Sequence, residues 1–241
     1  MLKFLTAIAF MLIAMPYAQA FEGGKSKAVI LAYHRINEPE NIESSLDMET
    51  FYTHISEIIS GQYNVMALPE IIKALKENRE LPERTIAITF EGGFRSAYDH
   101  AIPLLIESKL PFTIFVASEA TKIPNHLDWK TLKKISKYEG ASFGILPASY
   151  IHITHFDKSE ATRLINKSRL EFKENMDFES TLFSYPYGEI SDTLLKIAEE
   201  QGFDAAFGLQ SGPAHAQMNI LELPRFAMTD NHADLERFRI I

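Results

Sequence analysis

Two periods of hydrophobicity alternate along this chain. Short runs rich in β-branched and aromatic side chains occupy residues 28–33, 63–67, 85–90, 112–117, 141–145, 182–185 and 204–207, and such runs predict strands. Between them, segments with helical spacing cover 47–60, 69–77, 96–108, 129–138, 158–175 and 191–202. Strands that alternate with helices in this way predict βα units around a parallel sheet, and seven of them predict an α/β fold of the distorted (β/α)7 barrel kind.

Several boundaries carry their own chemistry. Asp47, Ser159 and Ser191 stand where side-chain caps for a helix N-terminus are expected, and Pro69 suits a first helical turn. Gly202 follows Ala198-Glu199-Glu200-Gln201 as a glycine just past a helix end does. No internal repeat, low-complexity tract or linker interrupts the pattern, so residues 21–241 are expected to form one domain.

The first twenty residues stand apart. Lys3, an apolar run of roughly 12 residues and Ala18-Gln19-Ala20 ahead of Phe21 read as a secretory signal peptide spanning 1–20. The run is shorter than the roughly 20 residues that cross a bilayer, so no stable membrane span is expected after cleavage. The chain is therefore expected to be exported, to a periplasm or the medium. It has no cysteine, which leaves stability to the core, and its net charge of −8 without a dense Lys/Arg run argues against nucleic acid.

Candidate chemistry gathers where the strands end, the side of a parallel barrel on which βα loops build sites. Tyr33-His34-Arg35 follows the first strand, Glu91-Gly92-Gly93 the third, Leu146 to His152 the fifth, and Tyr185-Pro186-Tyr187-Gly188 the sixth. In order and spacing these blocks resemble the polysaccharide deacetylase family, the carbohydrate esterases with nodulation-factor deacetylase homology, across almost the whole mature chain. Ile88-Thr89-Phe90-Glu91-Gly92-Gly93 is similar to the family's Thr-Phe-Asp-Asp-Gly motif, and Phe183-Ser184-Tyr185-Pro186-Tyr187-Gly188 to its Pro-Tyr-Gly motif. Phe203 to Gly208 and Leu223-Pro224-Arg225-Phe226 resemble segments that close the pocket wall.

The resemblance implies removal of acetyl groups from N-acetylated sugars, with zinc or another divalent metal held by one Asp and two His. The ligand positions here fall on Gly92, Leu146 and Tyr150, and the general-base position on Glu91. Glycine and leucine offer no donor, and a neutral tyrosine is a poor one, so no metal cofactor is expected. Glu91 is either a residual base or an acceptor for neighbouring loops or a sugar hydroxyl.

The other residues have two readings each. His34 either binds a sugar or holds a loop carbonyl. Arg225 is either a groove residue or a surface charge or loop clamp. Tyr187, between Pro186 and Gly188, suits a sugar groove, whereas Tyr185 suits core packing. His152 and His155 form a His-x-x-His pair, either a displaced metal site or two solvated loop histidines. The leading expectation is an inactive glycan-binding or regulatory pseudoenzyme in the carbohydrate metabolism of the envelope, acting on a poly- or oligosaccharide or on an envelope protein partner. The rival is an active hydrolase of non-peptide carbon–nitrogen bonds with a non-standard site.

Overall fold

The structure is a computed structural model and describes residues 27–237; the expected signal segment lies outside them. In chain order, β1 (Lys27–Tyr33), β2 (Arg35–Ile36) and β3 (Ser45–Leu46) precede α1 (Met48–Ser60), and β4 (Asn64–Val65) leads into α2 (Leu68–Lys76). Then come β5 (Thr85–Glu91) with α3 (Ile102–Glu107), β6 (Phe112–Val116) with α4 (Trp129–Ile135), and β7 (Ala141–Ile145) with α5 (Lys158–Met176). The chain closes through β8 (Leu182–Ser184), α6 (Asp192–Glu200), β9 (Ala205–Phe207), β10 (Ala214–His215) and β11 (Phe226–Ala227).

The main sheet curls in the order β10-β1-β5-β6-β7-β8-β9, with β4 added beside β5 and β11 beside β1. All the pairings from β1 to β9 are parallel, as helical crossovers require. The gap between β9 and β1 is spanned near the strand ends by one segment, in which Leu223 bridges to Phe207 and Phe226 pairs with Leu31. Arg225 rides on that segment, and so is carried into the mouth of the barrel.

Alternation along each strand sorts the core in two. Val29, Leu31, Ile86, Ile88, Phe90 and Ile114 face the outer helices, while Ala28, Ile30, Ala87, Phe115, Leu182 and Phe207 face the interior. Into that interior α2 inserts Leu68, Ile71, Ile72 and Leu75, all at most 3% exposed. At about 1.5–3 kcal/mol for each such side chain, packing holds this nine-residue helix in place.

All seven expected strands form, although the second shrinks to β4, two residues long. Asp47 and Ser191 cap α1 and α6 through the N–H groups of Thr50 and Leu194, and Gly202 stands just past α6 with φ 68°. Ser159 is not a cap: Asp157 takes that place and accepts from Glu160 N–H, leaving Ser159 in the first turn. The third helix is entered through a π-helical turn at Ala97–Ala101.

Candidate functional site

Thr89 and Glu91 share the inward face of β5 with Ala87, because side chains two apart on a strand point the same way. Glu91 ends the strand and is fully buried. Its Oε2 accepts hydrogen bonds from Ser184 Oγ (2.6 Å) and from Arg225 Nη2, and its Oε1 accepts from the Tyr150 hydroxyl (3.1 Å). Arg225 Nη2 also donates to Ser184 Oγ at 2.7 Å, and Arg225 Nε to the carbonyl of Gly208 at 2.9 Å. The guanidinium lies 5.2 and 5.7 Å from the ring centres of Phe115 and Phe207, within cation–π range of both.

Electrostatics fix the protonation of this cluster. Burial pushes the Glu91 carboxyl up, but the Arg225 charge and the Ser184 hydroxyl outweigh it, so the net shift is downward and the group stays ionised. Burial, together with the Glu91 charge, pushes the Tyr150 phenol far up, so it remains a donor. For His34 burial is the largest influence and lowers its pKa against the pull of Glu91, which leaves the ring neutral at pH 7. Its Nε2 is 3.9 Å from Glu91 Oε1, beyond hydrogen-bond range, and its Nδ1 has no partner among the described residues.

The expectations for single residues divide accordingly. Arg225 is not a surface charge: it is fully buried, a clamp on Gly208 and the counter-ion of Glu91. Among the described residues His34 holds no loop carbonyl, and at 7% exposed it lies beneath the surface beside Glu91. Tyr185 packs in the core. Pro186 and Gly188 are buried parts of a turn whose left-handed residues, Tyr187 (φ 56°) and Gly188 (φ 70°), swing the Tyr187 ring outward. A Cβ on Gly188 would stand 2.6 Å from Leu209, so this turn needs glycine there.

Above Glu91 the surface is aromatic. Tyr187 is 43% exposed, packs 4.7 Å from Tyr150, and stacks on His152 at 4.2 Å with the rings 15° apart. His152 is oriented by Glu189 (2.8 Å), which also accepts from Thr154, and His155 lies 5.6 Å further along. Sequence reasoning missed Glu189 and Ser184. Ser184 sat inside a quoted motif, two positions from Leu182 on the inward face of β8, and that spacing was the available signal.

The metal implied by the family does not fit these residues. Leu146 is fully buried against the interior core, and Tyr150 spends its hydroxyl on Glu91. At Gly92 (φ 90°) a Cβ would meet the Phe94 ring at 2.6 Å, and that ring already contacts Arg35 (3.7 Å) and His126 (4.8 Å). The buried carboxylate already touches a guanidinium, which would repel a dication. Among the described residues no three His, Cys, Asp or Glu side chains are grouped to hold a metal.

Residues 78–206, more than half of the chain, match the family model Polysaccharide deacetylase. The poly-β-1,6-N-acetyl-D-glucosamine N-deacetylase of Staphylococcus epidermidis is 23% identical over 234 residues, covering 86% of this chain and 81% of that protein. Among solved structures, the Streptococcus pyogenes deacetylase PplD in complex with acetate superposes with a TM-score of 0.78 at 22% identity, over 85% of this chain and 93% of that one. IcaB from Ammonifex degensii gives 0.75 at 19% identity, over 89% and 97%. The fold, the order of the motifs and these likenesses agree: the chain belongs to the polysaccharide deacetylase family.

Proposed function

We propose that this chain is an exported, metal-free member of its family that recognises an envelope glycan without deacetylating it. The observation that carries this reading is the state of Glu91. In the base position, a group must reach a water beside the substrate. Glu91 instead is fully buried and gives both oxygens to Arg225, Ser184 and Tyr150. Water with a pKa of roughly 15.7 would have to be activated with no metal to lower it.

Glycan recognition rests on different atoms. The exposed Tyr187 ring, stacked on His152, offers a flat amphipathic face of the sort that packs on a sugar ring. It lies over the sealed cluster, and its left-handed backbone is a strained state for a tyrosine. In this reading His34 and Arg225 act from beneath, by holding the floor on which Tyr150 and Tyr187 rest. Export rests on the N-terminal signal pattern.

The relatives suggest the first ligand to try, a β-1,6-linked N-acetylglucosamine oligosaccharide. Calorimetry should register binding that Tyr187→Ala weakens, with no acetate released on prolonged incubation and no stoichiometric metal in the purified protein. Acetate release that stops on Glu91→Gln would overturn the reading in favour of an active carbon–nitrogen hydrolase.

A further inference from the structure

The end of the barrel opposite Glu91 holds a cavity of about 670 Å3. It opens where β7 and β8 begin, and α2 lines one wall of it. Strand register sets the distance from the upper cluster. Glu91 is level with Phe115 and thereby with Gly144, so Ala141, on the cavity wall, lies three residues lower, or roughly 10 Å. The α2 plug therefore fills the middle of the barrel base and leaves a hollow beside it.

Ile72, Phe143, Phe178 and Leu182 line the hollow together with the hydroxyls of Ser136, Ser142, Ser180 and Thr181, and charged side chains stand around it. Phe178 is 41% exposed, with its ring 5.4 Å from Phe172 and 6.1 Å from Phe143. Around the rim, Lys76 is paired with Asp204 at 2.5 Å, Glu77 with Arg79 at 2.5 Å, and Glu179 with Lys173 at 2.5 Å. Lys73 is the exception: among the described residues it makes no ion pair, and it exerts only a through-space pull on Glu77. The lining carries three carboxylates and two lysines, but each carboxylate is engaged by a lysine or an arginine, so Lys73, on a flexible stem, is the charge of the lining left without an ion-pair partner among the described residues.

We infer that this cavity at the base of the barrel binds a small anionic amphiphile, with its apolar ring or short chain against Phe143, Phe178 and Leu182 and its acidic group on Lys73. Its volume is in the range of small-molecule sites, and apolar side chains joined by a few polar groups and a directing charge are their usual make-up. The site shares no residue with the aromatic surface over Glu91, so it stands whether or not the glycan reading does.

The test uses 1-anilinonaphthalene-8-sulfonate as the probe, an apolar aromatic with one fixed negative charge, titrated into the native protein at neutral pH. One saturable site is expected. Lys73→Glu should weaken it about tenfold, the scale of exchanging one attraction for one repulsion. Phe178→Ser should weaken it to a similar extent, while Lys130→Glu, a charge reversal on α4 outside the cavity, should leave it unchanged. Near-ultraviolet circular dichroism of Trp129 establishes that each variant is folded. An absence of saturable binding, indifference to Lys73→Glu, or equal weakening by Lys130→Glu would overturn the inference.

Discussion

Arg225 and Glu91 lie 134 positions apart in the chain and neutralise each other, wholly buried, at the mouth of the barrel. Their pairing joins the end of β5 to the segment before β11, on the side of the barrel where βα loops build sites. Taking one partner away should be costly. Glu91→Gln leaves a buried guanidinium without its counter-charge and should reduce unfolding free energy by about 3–5 kcal/mol. The joint replacement Glu91→Leu with Arg225→Met should recover most of that, and urea unfolding of the singles and the double measures the coupling. Additive losses would show that the two residues act separately.

Acid should weaken the fold in two stages. His34 and His54 both have their pKa lowered, chiefly by burial, so the unfolded chain takes up protons first and stability falls as pH drops below about 6.5. The lowered Glu91 carboxyl contributes stability that is present above its unfolded value, about 4.3, and is lost below it. Urea midpoints measured between pH 8 and pH 3 should decline in both windows. A flat midpoint from pH 7 to pH 5 would contradict the histidine assignment.

Rebuilding the ligands should not rebuild the metal site. Gly92→Asp, Leu146→His and Tyr150→His made together supply the missing donors, but Arg225 still occupies Glu91 and Phe94 still crowds position 92. The triple variant is expected to bind no stoichiometric zinc by elemental analysis. For the native protein, EDTA should leave the melting temperature unchanged.

At Tyr187, binding and stability should separate. Tyr187→Gly removes the exposed ring and relieves a left-handed backbone worth about 1–2 kcal/mol, against which the lost contacts with His152 and Tyr150 weigh similarly. Unfolding free energy should stay within about 1 kcal/mol of wild type while oligosaccharide affinity falls about tenfold. A variant that binds as tightly as wild type would remove Tyr187 from the recognition surface.

How far these features were legible in the sequence depends on the range of the interactions. Strands such as β1 and β5 are local, continuous apolar runs, and the caps at Asp47 and Ser191 act within three residues. Ser159 was misjudged because Asp157, two residues earlier, competes for the same role and wins. The four motif blocks could be placed at the strand ends, since a barrel brings those together whatever the loops do. That Arg225 turns inward could not be read, because its partners Gly208, Ser184 and Glu91 come from three other segments. Glu189 was invisible for the same reason: its histidine lies 37 residues back.

The conformation at Gly92 restricts what that position can carry. Any L-residue there would have to adopt a positive φ and bring its Cβ against the ring of Phe94, which also contacts Arg35 and His126. A substitution at 92 therefore starts from a loss of stability that does not depend on the chemistry of the side chain introduced, so the backbone, and not a partner group, keeps the position bare.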